Sequence, residues 1–159
     1  MKLHAAVAIL AALALGCGGG AESKPESQAE TKAEVRPKRS GPEPEHILVA
    51  HVLVAFQGTG TKATRTQAAA EKLAADVLAK ARKGDDFNKL MRDFSDDQGD
   101  GVYGLANHKV NPVGDEHERR RMVTGFGDVG FQLEVGDVGM AVYDPVKSKY
   151  GWHIIKRLK

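Results

Sequence analysis

The side chains able to do chemistry in this sequence are imidazoles set in apolar runs, a turn dense in carboxylates, and one cysteine. His51 stands in the run 46–56 (HILVAHVLVAF) and His153 in the run 152–158 (WHIIKRL), both with the β-branched, aliphatic character of buried strands. Side chains alternate along a strand, so His51 shares a face with Val49 and Leu53, and His153 shares one with Ile155. Two antiparallel neighbours of this kind bring both imidazoles together. His46 lies an odd number of residues from His51 and points the other way, which disfavours a metal site shared by these two. The carboxylate turn reads Asp96, Gln98, Asp100, Gly101 and imitates the start of a calcium loop, but its twelfth position is Asn107 where a bidentate Glu is needed. His108, Asp115, Glu116 and His117 have ligand chemistry, yet their charged surroundings read as a solvated loop. No metal and no cofactor is expected.

Cys17 follows a nearly unbroken apolar run, residues 5–16 (AAVAILAALALG), itself preceded by Lys2 and His4. A short basic region followed by such a run is the pattern of an export signal, too short to cross a bilayer, which takes about 20 apolar residues. The sequence Leu13-Ala14-Leu15-Gly16-Cys17 is similar to the bacterial lipoprotein signal, in which a small residue precedes the cysteine that receives lipid. That resemblance implies cleavage after residue 16 and lipidation of Cys17. A lone cysteine has no partner for an internal disulfide, and an anchor explains its presence in an exported chain.

The elements that must position these groups follow from periodicity. Residues 18–44 are mostly Gly, Ala, Glu, Lys, Ser, Gln and Pro, with Val35 the only large apolar residue, so this segment is expected to be a disordered linker with a reach of about 30 Å. The folded domain is expected over 45–159. After the first strand, Thr64-Arg65-Thr66-Gln67 has capping-box spacing, and Ala70, Leu73, Ala74, Val77, Leu78 and Ala81 form one helical face ending before Gly84. Asp85 or Asp86 caps a second helix with Phe87, Leu90, Met91 and Phe94 as its apolar stripe. Residues 102–105 read as extended, 107–121 are polar with no assignable conformation, and 124–133 read as a short helix softened by glycines. Residues 138–143 and 152–158 read as strands joined by a turn. This order gives an α+β fold: a small antiparallel sheet of about four strands surrounded by three to four helices. The formal net charge is +2, with no basic block of the kind that follows a phosphate backbone, so nucleic acid is not an expected partner.

Three motifs in this order carry a family resemblance: Ala50-His51-Val52-Leu53-Val54, Phe94-Ser95-Asp96-Asp97, and Tyr150-Gly151-Trp152-His153-Ile154-Ile155. Together they resemble the parvulin-type peptidyl-prolyl cis-trans isomerases. The resemblance implies an enzyme that rotates X-Pro bonds, with His51, His153 and Asp97 as the catalytic set. It also implies Met122 and Phe126 as the lining of a proline pocket, with Tyr103 closing one wall and Tyr150 at the closing motif. Lys62 and Arg65 are too few cations for a phosphopeptide site. The partners implied are unfolded or Pro-containing protein segments, met at the cell envelope by a monomer tethered through Cys17 on the periplasmic side or at the outer membrane. The alternative is a non-catalytic envelope chaperone of the same fold that captures such segments.

Overall fold

The computed structural model describes residues 39–159. The apolar run 5–16, Cys17 and the linker as far as residue 38 lie outside the described residues. The described chain forms β1 (His46–Val54), α1 (Gln67–Arg82), α2 (Phe87–Phe94), β2 (Val102–Ala106), β3 (His117–Glu118), a 3₁₀ turn (Arg119–Arg121), α3 (Thr124–Gln132), β4 (Val138–Ala141) and β5 (Trp152–Arg157). The strands lie in the order β3-β2-β1-β5-β4. β1 is antiparallel to both β2 and β5, and β4 is antiparallel to β5. The α+β architecture is therefore the expected one, with four antiparallel strands. A fifth, β3, runs parallel to β2 and comes from the segment 107–121. A strand of 2 residues is too short to leave a period in the sequence.

Alternation along β1 divides the core in two. Ala50, Val52 and Val54, with Trp152 and Ile154 of β5, pack against the apolar faces of α1 and α2. Ile47 and Val49, with Leu105 and Ile155, pack against Phe126, Val129 and Phe131 of α3. The sheet is covered on both faces, which is why β1 carries no polar alternation.

Helix starts differ from the sequence expectation by a small shift with a clear cause. α1 is capped by Thr66, whose hydroxyl accepts from the Ala69 amide at 3.2 Å, and not by Thr64. Arg65 is still bound to the end of β1, its carbonyl accepting from the Gln57 amide and its guanidinium donating to the Ala55 carbonyl and to Asp96. The helix can begin only after that anchor. α2 is capped by Asp86, which accepts from the Asn88 and Lys89 amides. In α3 the glycines oppose helix propensity but meet a packing need: a Cβ on Gly127 would lie 2.8 Å from Arg119 Cγ.

Arg119 is 9% exposed and organises the end of the segment 107–121. Its guanidinium donates to Glu43 at 2.6 Å, to Asn107 at 2.9 Å and to Asp128 of α3 at 2.8 Å, and lies 4.7 Å from the Phe131 ring centroid. Glu43 also accepts from the Gln132 amide group at 2.7 Å. Glu43 falls in the expected linker by composition, yet it is bonded to the domain, whose contacts begin ahead of residue 45. Composition cannot register one carboxylate that meets a buried guanidinium.

Candidate functional site

The site starts with register. β1 pairs β5 with His51 opposite Ile155 and Leu53 opposite His153, so the two imidazoles sit diagonally on the α3 face of the sheet. They are 4% and 5% exposed, their rings 5.4 Å apart and 17° from parallel, with a 3.3 Å contact between the two Nδ1 atoms. Asp97 reaches them from the turn after α2, which is sewn to the end of β1. The Leu53 amide donates to Ser95 Oγ at 3.1 Å, the Asp96 amide to the Leu53 carbonyl at 2.8 Å, and the Ala55 amide to Asp96 Oδ2 at 2.8 Å. Asp96, paired with Arg65, thus fixes the turn, and Asp97 is delivered to the imidazoles. His51 Nε2–H donates to Asp97 Oδ2 at 2.8 Å, and the Tyr103 hydroxyl donates to the same oxygen at 2.8 Å.

These contacts set the protons. The hydrogen bond from His51, followed by that from Tyr103, holds the Asp97 carboxyl well below its ordinary value despite partial burial. Asp97 is therefore an acceptor only, which places a proton on His51 Nε2. Burial, and next the neighbouring His51, push His153 down to about 3. Its Nε2 is buried without a partner, so a proton there would be a stranded donor. The proton of His153 belongs on Nδ1, donating to His51 Nδ1. A one-way series results, from His153 to His51 to Asp97, with Tyr103 feeding the same carboxylate. Burial, then the bond to Asp97, raises the Tyr103 phenol to about 12, so it stays a donor.

Beside this series is a cleft of about 440 Å³. Its apolar wall is Leu53, Met122, Val123 and Phe126, and its mouth carries Tyr150, 41% exposed, and Val146, 81% exposed. Phe126 stands edge-on to both imidazoles, at 5.1 Å from His51 and 5.5 Å from His153. The structure brings His51, Asp97, His153, Met122, Phe126, Tyr103 and Tyr150 to this one cleft. Tyr103 is more than a wall, because its hydroxyl bonds Asp97. Sequence reasoning missed Arg121, Thr124, Val146 and Lys149 as lining residues. The signal for Leu53 was present, since it shares the His51 face, but Val146 and Lys149 lie in a turn whose path no periodicity encodes.

Of the other polar groups singled out in the sequence, His46 and Glu116 pair with each other. Glu116 accepts from His46 Nδ1–H at 2.8 Å and from the Val113 amide at 2.9 Å, tying the loop 107–116 to the start of β1. Among the described residues, no group of three or more His, Cys, Asp and Glu side chains gathers as a metal site.

Comparison with known proteins gives a consistent picture. The family described as the PPIC-type PPIase domain matches residues 33–159. The foldase protein PrsA of Geobacillus kaustophilus (strain HTA426) is 38% identical over 81 residues, covering 51% of this chain and 25% of that protein. The parvulin-like PPIase of Rickettsia typhi (strain ATCC VR-144 / Wilmington) is 35% identical over 85 residues, covering 52% of this chain and 27% of that protein. The matched stretches thus span about a quarter of the length of these curated relatives. The solution structure of TbPIN1 superposes with a TM-score of 0.55 at 22% identity, covering 72% of this chain and 98% of that one, a likeness of fold.

Proposed function

This chain belongs to the PPIC-type PPIase domain family, the parvulins, and on that premise we propose that it is a peptidyl-prolyl cis-trans isomerase acting on X-Pro bonds of exported proteins. An X-Pro bond rotates in about 10 to 100 s unaided, because rotation breaks amide resonance. The planar forms place negative charge on the carbonyl oxygen, and the twisted midpoint removes it. A fixed carboxylate beside that oxygen disfavours the planar forms relative to the twisted one, and an apolar slot holds the ring while the bond turns. No covalent step is needed.

In this reading Met122 and Phe126 take the pyrrolidine ring, with Tyr150 over the opening, and Asp97 faces the carbonyl. His51 and His153 act below the substrate, holding Asp97 ionised and oriented. The observation that carries the reading is the meeting, in one cleft, of an apolar wall with a carboxylate fixed by a buried imidazole pair. Refolding of a model protein whose slow phase is prolyl isomerisation is the direct test. The protein is expected to accelerate that phase in proportion to its concentration. Binding of unfolded chain with no acceleration would replace this reading with that of a non-catalytic chaperone.

The cellular setting belongs to the same proposal. Residues 1–16 act as an export signal, Cys17 carries lipid, and the linker lets the catalytic domain turn freely near a membrane at the cell envelope, where emerging chains are its substrates. This rests on the apolar run ahead of Cys17 and on the polar composition that follows. Cys17→Ser is expected to move the protein from the membrane to the soluble fraction, and unchanged fractionation would count against lipidation.

A further inference from the structure

The site contains one bond that a purely apolar wall would not make, from the phenol of Tyr103 to Asp97. A side chain serving only as an apolar wall of the cleft would need no hydroxyl. The surroundings are shaped to the hydroxyl. A Cβ on Gly99 would lie 3.2 Å from the Tyr103 oxygen, so the absence of a side chain there leaves the space the phenol occupies. The ring is held as well, 5.4 Å from the His51 ring at 62° and 6.1 Å from Phe126 at 87°. Its direction of approach is thereby fixed before any substrate arrives.

The consequence lies in how Asp97 is held. Its Oδ2 takes both strong bonds, from His51 Nε2–H at 2.8 Å and from the Tyr103 hydroxyl at 2.8 Å, while Oδ1 has only a 3.4 Å contact from the Gly99 amide. One donor on one oxygen leaves a carboxylate free to swing about that bond. Two donors from different elements, β1 and β2, fix its plane. We infer that Tyr103 is a positioning residue for the isomerase reaction, clamping Asp97 jointly with His51 so that Oδ1 is the oxygen left for the substrate.

This inference rests on the isomerase reading, and its test separates the two. Tyr103→Phe removes the hydroxyl and keeps the ring, whereas Tyr103→Leu removes both. The expected result is a loss of about tenfold in kcat for Tyr103→Phe, with KM within about twofold, since a hydrogen bond to a charged group is removed while the wall remains. In an Asp97→Ala background the same substitution is expected to change nothing further, because its target is gone. Wild-type kcat in Tyr103→Phe alongside a loss in Tyr103→Leu would reduce Tyr103 to a wall and overturn the inference. An equal loss with and without Asp97 would overturn it too.

A second readout needs no turnover. The Nε2 proton of His51, followed by ring-nitrogen NMR in the wild-type protein, is expected to exchange faster with solvent in Tyr103→Phe as the carboxylate loosens. An unchanged exchange rate would count against the clamp even if the protein had no isomerase activity. Conversely, faster exchange in a protein that fails the refolding assay would sink the isomerase reading and keep the clamp.

Discussion

The two faces of the sheet are built from the same strands and to opposite ends. On the α1/α2 face, Ala50, Val52, Val54, Trp152 and Ile154 are apolar and buried, and two helices seal them. On the α3 face the neighbouring residues of the same strands include His51 and His153, one of whose nitrogens has no partner, and the covering stops at an open cleft. A buried unsatisfied polar atom costs about 1–3 kcal/mol. One face therefore supplies stability, and the other spends part of it to hold an imidazole pair under a carboxylate. Alternation along β1 makes this division possible, because a substitution at one position reaches only one face.

The largest expected effect comes from breaking the sealed face. Ile154→Ala leaves a cavity among α1, α2 and the sheet and is expected to lower stability by about 2–5 kcal/mol, measured by urea unfolding. Turnover by the fraction that remains folded should be close to wild type, because the adjacent residue His153 points away. A collapse of kcat in folded Ile154→Ala would show that the faces are not independent. The complementary experiment is Asp97→Ala, expected to reduce kcat/KM by about a hundredfold while the domain stays folded. Met122→Ala should also slow turnover without unfolding the domain, and His153→Ala should lose stability and activity together. Equal activity in wild type, Asp97→Ala and Met122→Ala would refute the assignment of the cleft.

Acid offers a sharper way to probe the site face, since it acts wherever a group titrates differently in the folded and unfolded chain, and the buried His153 does so strongly. His153 is held down to about 3 in the fold, against 6.5 when exposed. Between those values the unfolded chain binds a proton that the folded chain refuses. Stability is therefore present above pH 6.5 and is lost as pH falls, at up to about 1.4 kcal/mol per pH unit. Asp97 adds in the same direction further down: its folded value lies below the ordinary 3.8, so its contribution fades as pH drops through that value. Urea midpoints taken from pH 7 to pH 4 should fall steadily in the wild type, and the slope should flatten in His153→Ala. A midpoint that is the same at pH 7 and pH 5 would contradict a neutral buried His153.

The same contrast explains what was legible in the sequence. Long-period features were: the apolar faces of α1 and α2, the buried β1, and the shared face of His51 and Leu53 all follow from spacing. The faces of the two histidines follow from strict strand alternation, whereas their pairing was implied by the motif resemblance, since alternation does not say which strands are neighbours. The segment 107–121 could not be assigned, because its form depends on tertiary partners. Arg119 reads as one of three adjacent arginines in the sequence, yet it alone is buried, by Glu43, Asn107 and Asp128, while Arg120 and Arg121 stay exposed and share Glu118. Tyr103 was placed at the site but not its bond to Asp97, since a hydroxyl's partner is set by a turn that sequence spacing does not orient.

The smallest expected effect tests how firmly α1 is held on the sealed face. Capping-box spacing pointed to Thr64, whereas the structure gives the role to Thr66, whose hydroxyl satisfies the Ala69 amide. Arg65 decides between them, because its bonds to Ala55 and Asp96 keep the chain extended through position 65. Thr66→Ala should cost about 1 kcal/mol, the usual worth of an N-cap, while Thr64→Ala, at an exposed position ahead of the helix, should change the urea midpoint little. Neither should alter kcat, since neither hydroxyl lines the cleft or takes part in the bonds by which Arg65 holds Asp96. If Thr64→Ala proved the costlier of the two, the helix would begin before Arg65, and the anchor that delivers Asp96 and Asp97 to β1 would have to be looser than these bonds describe.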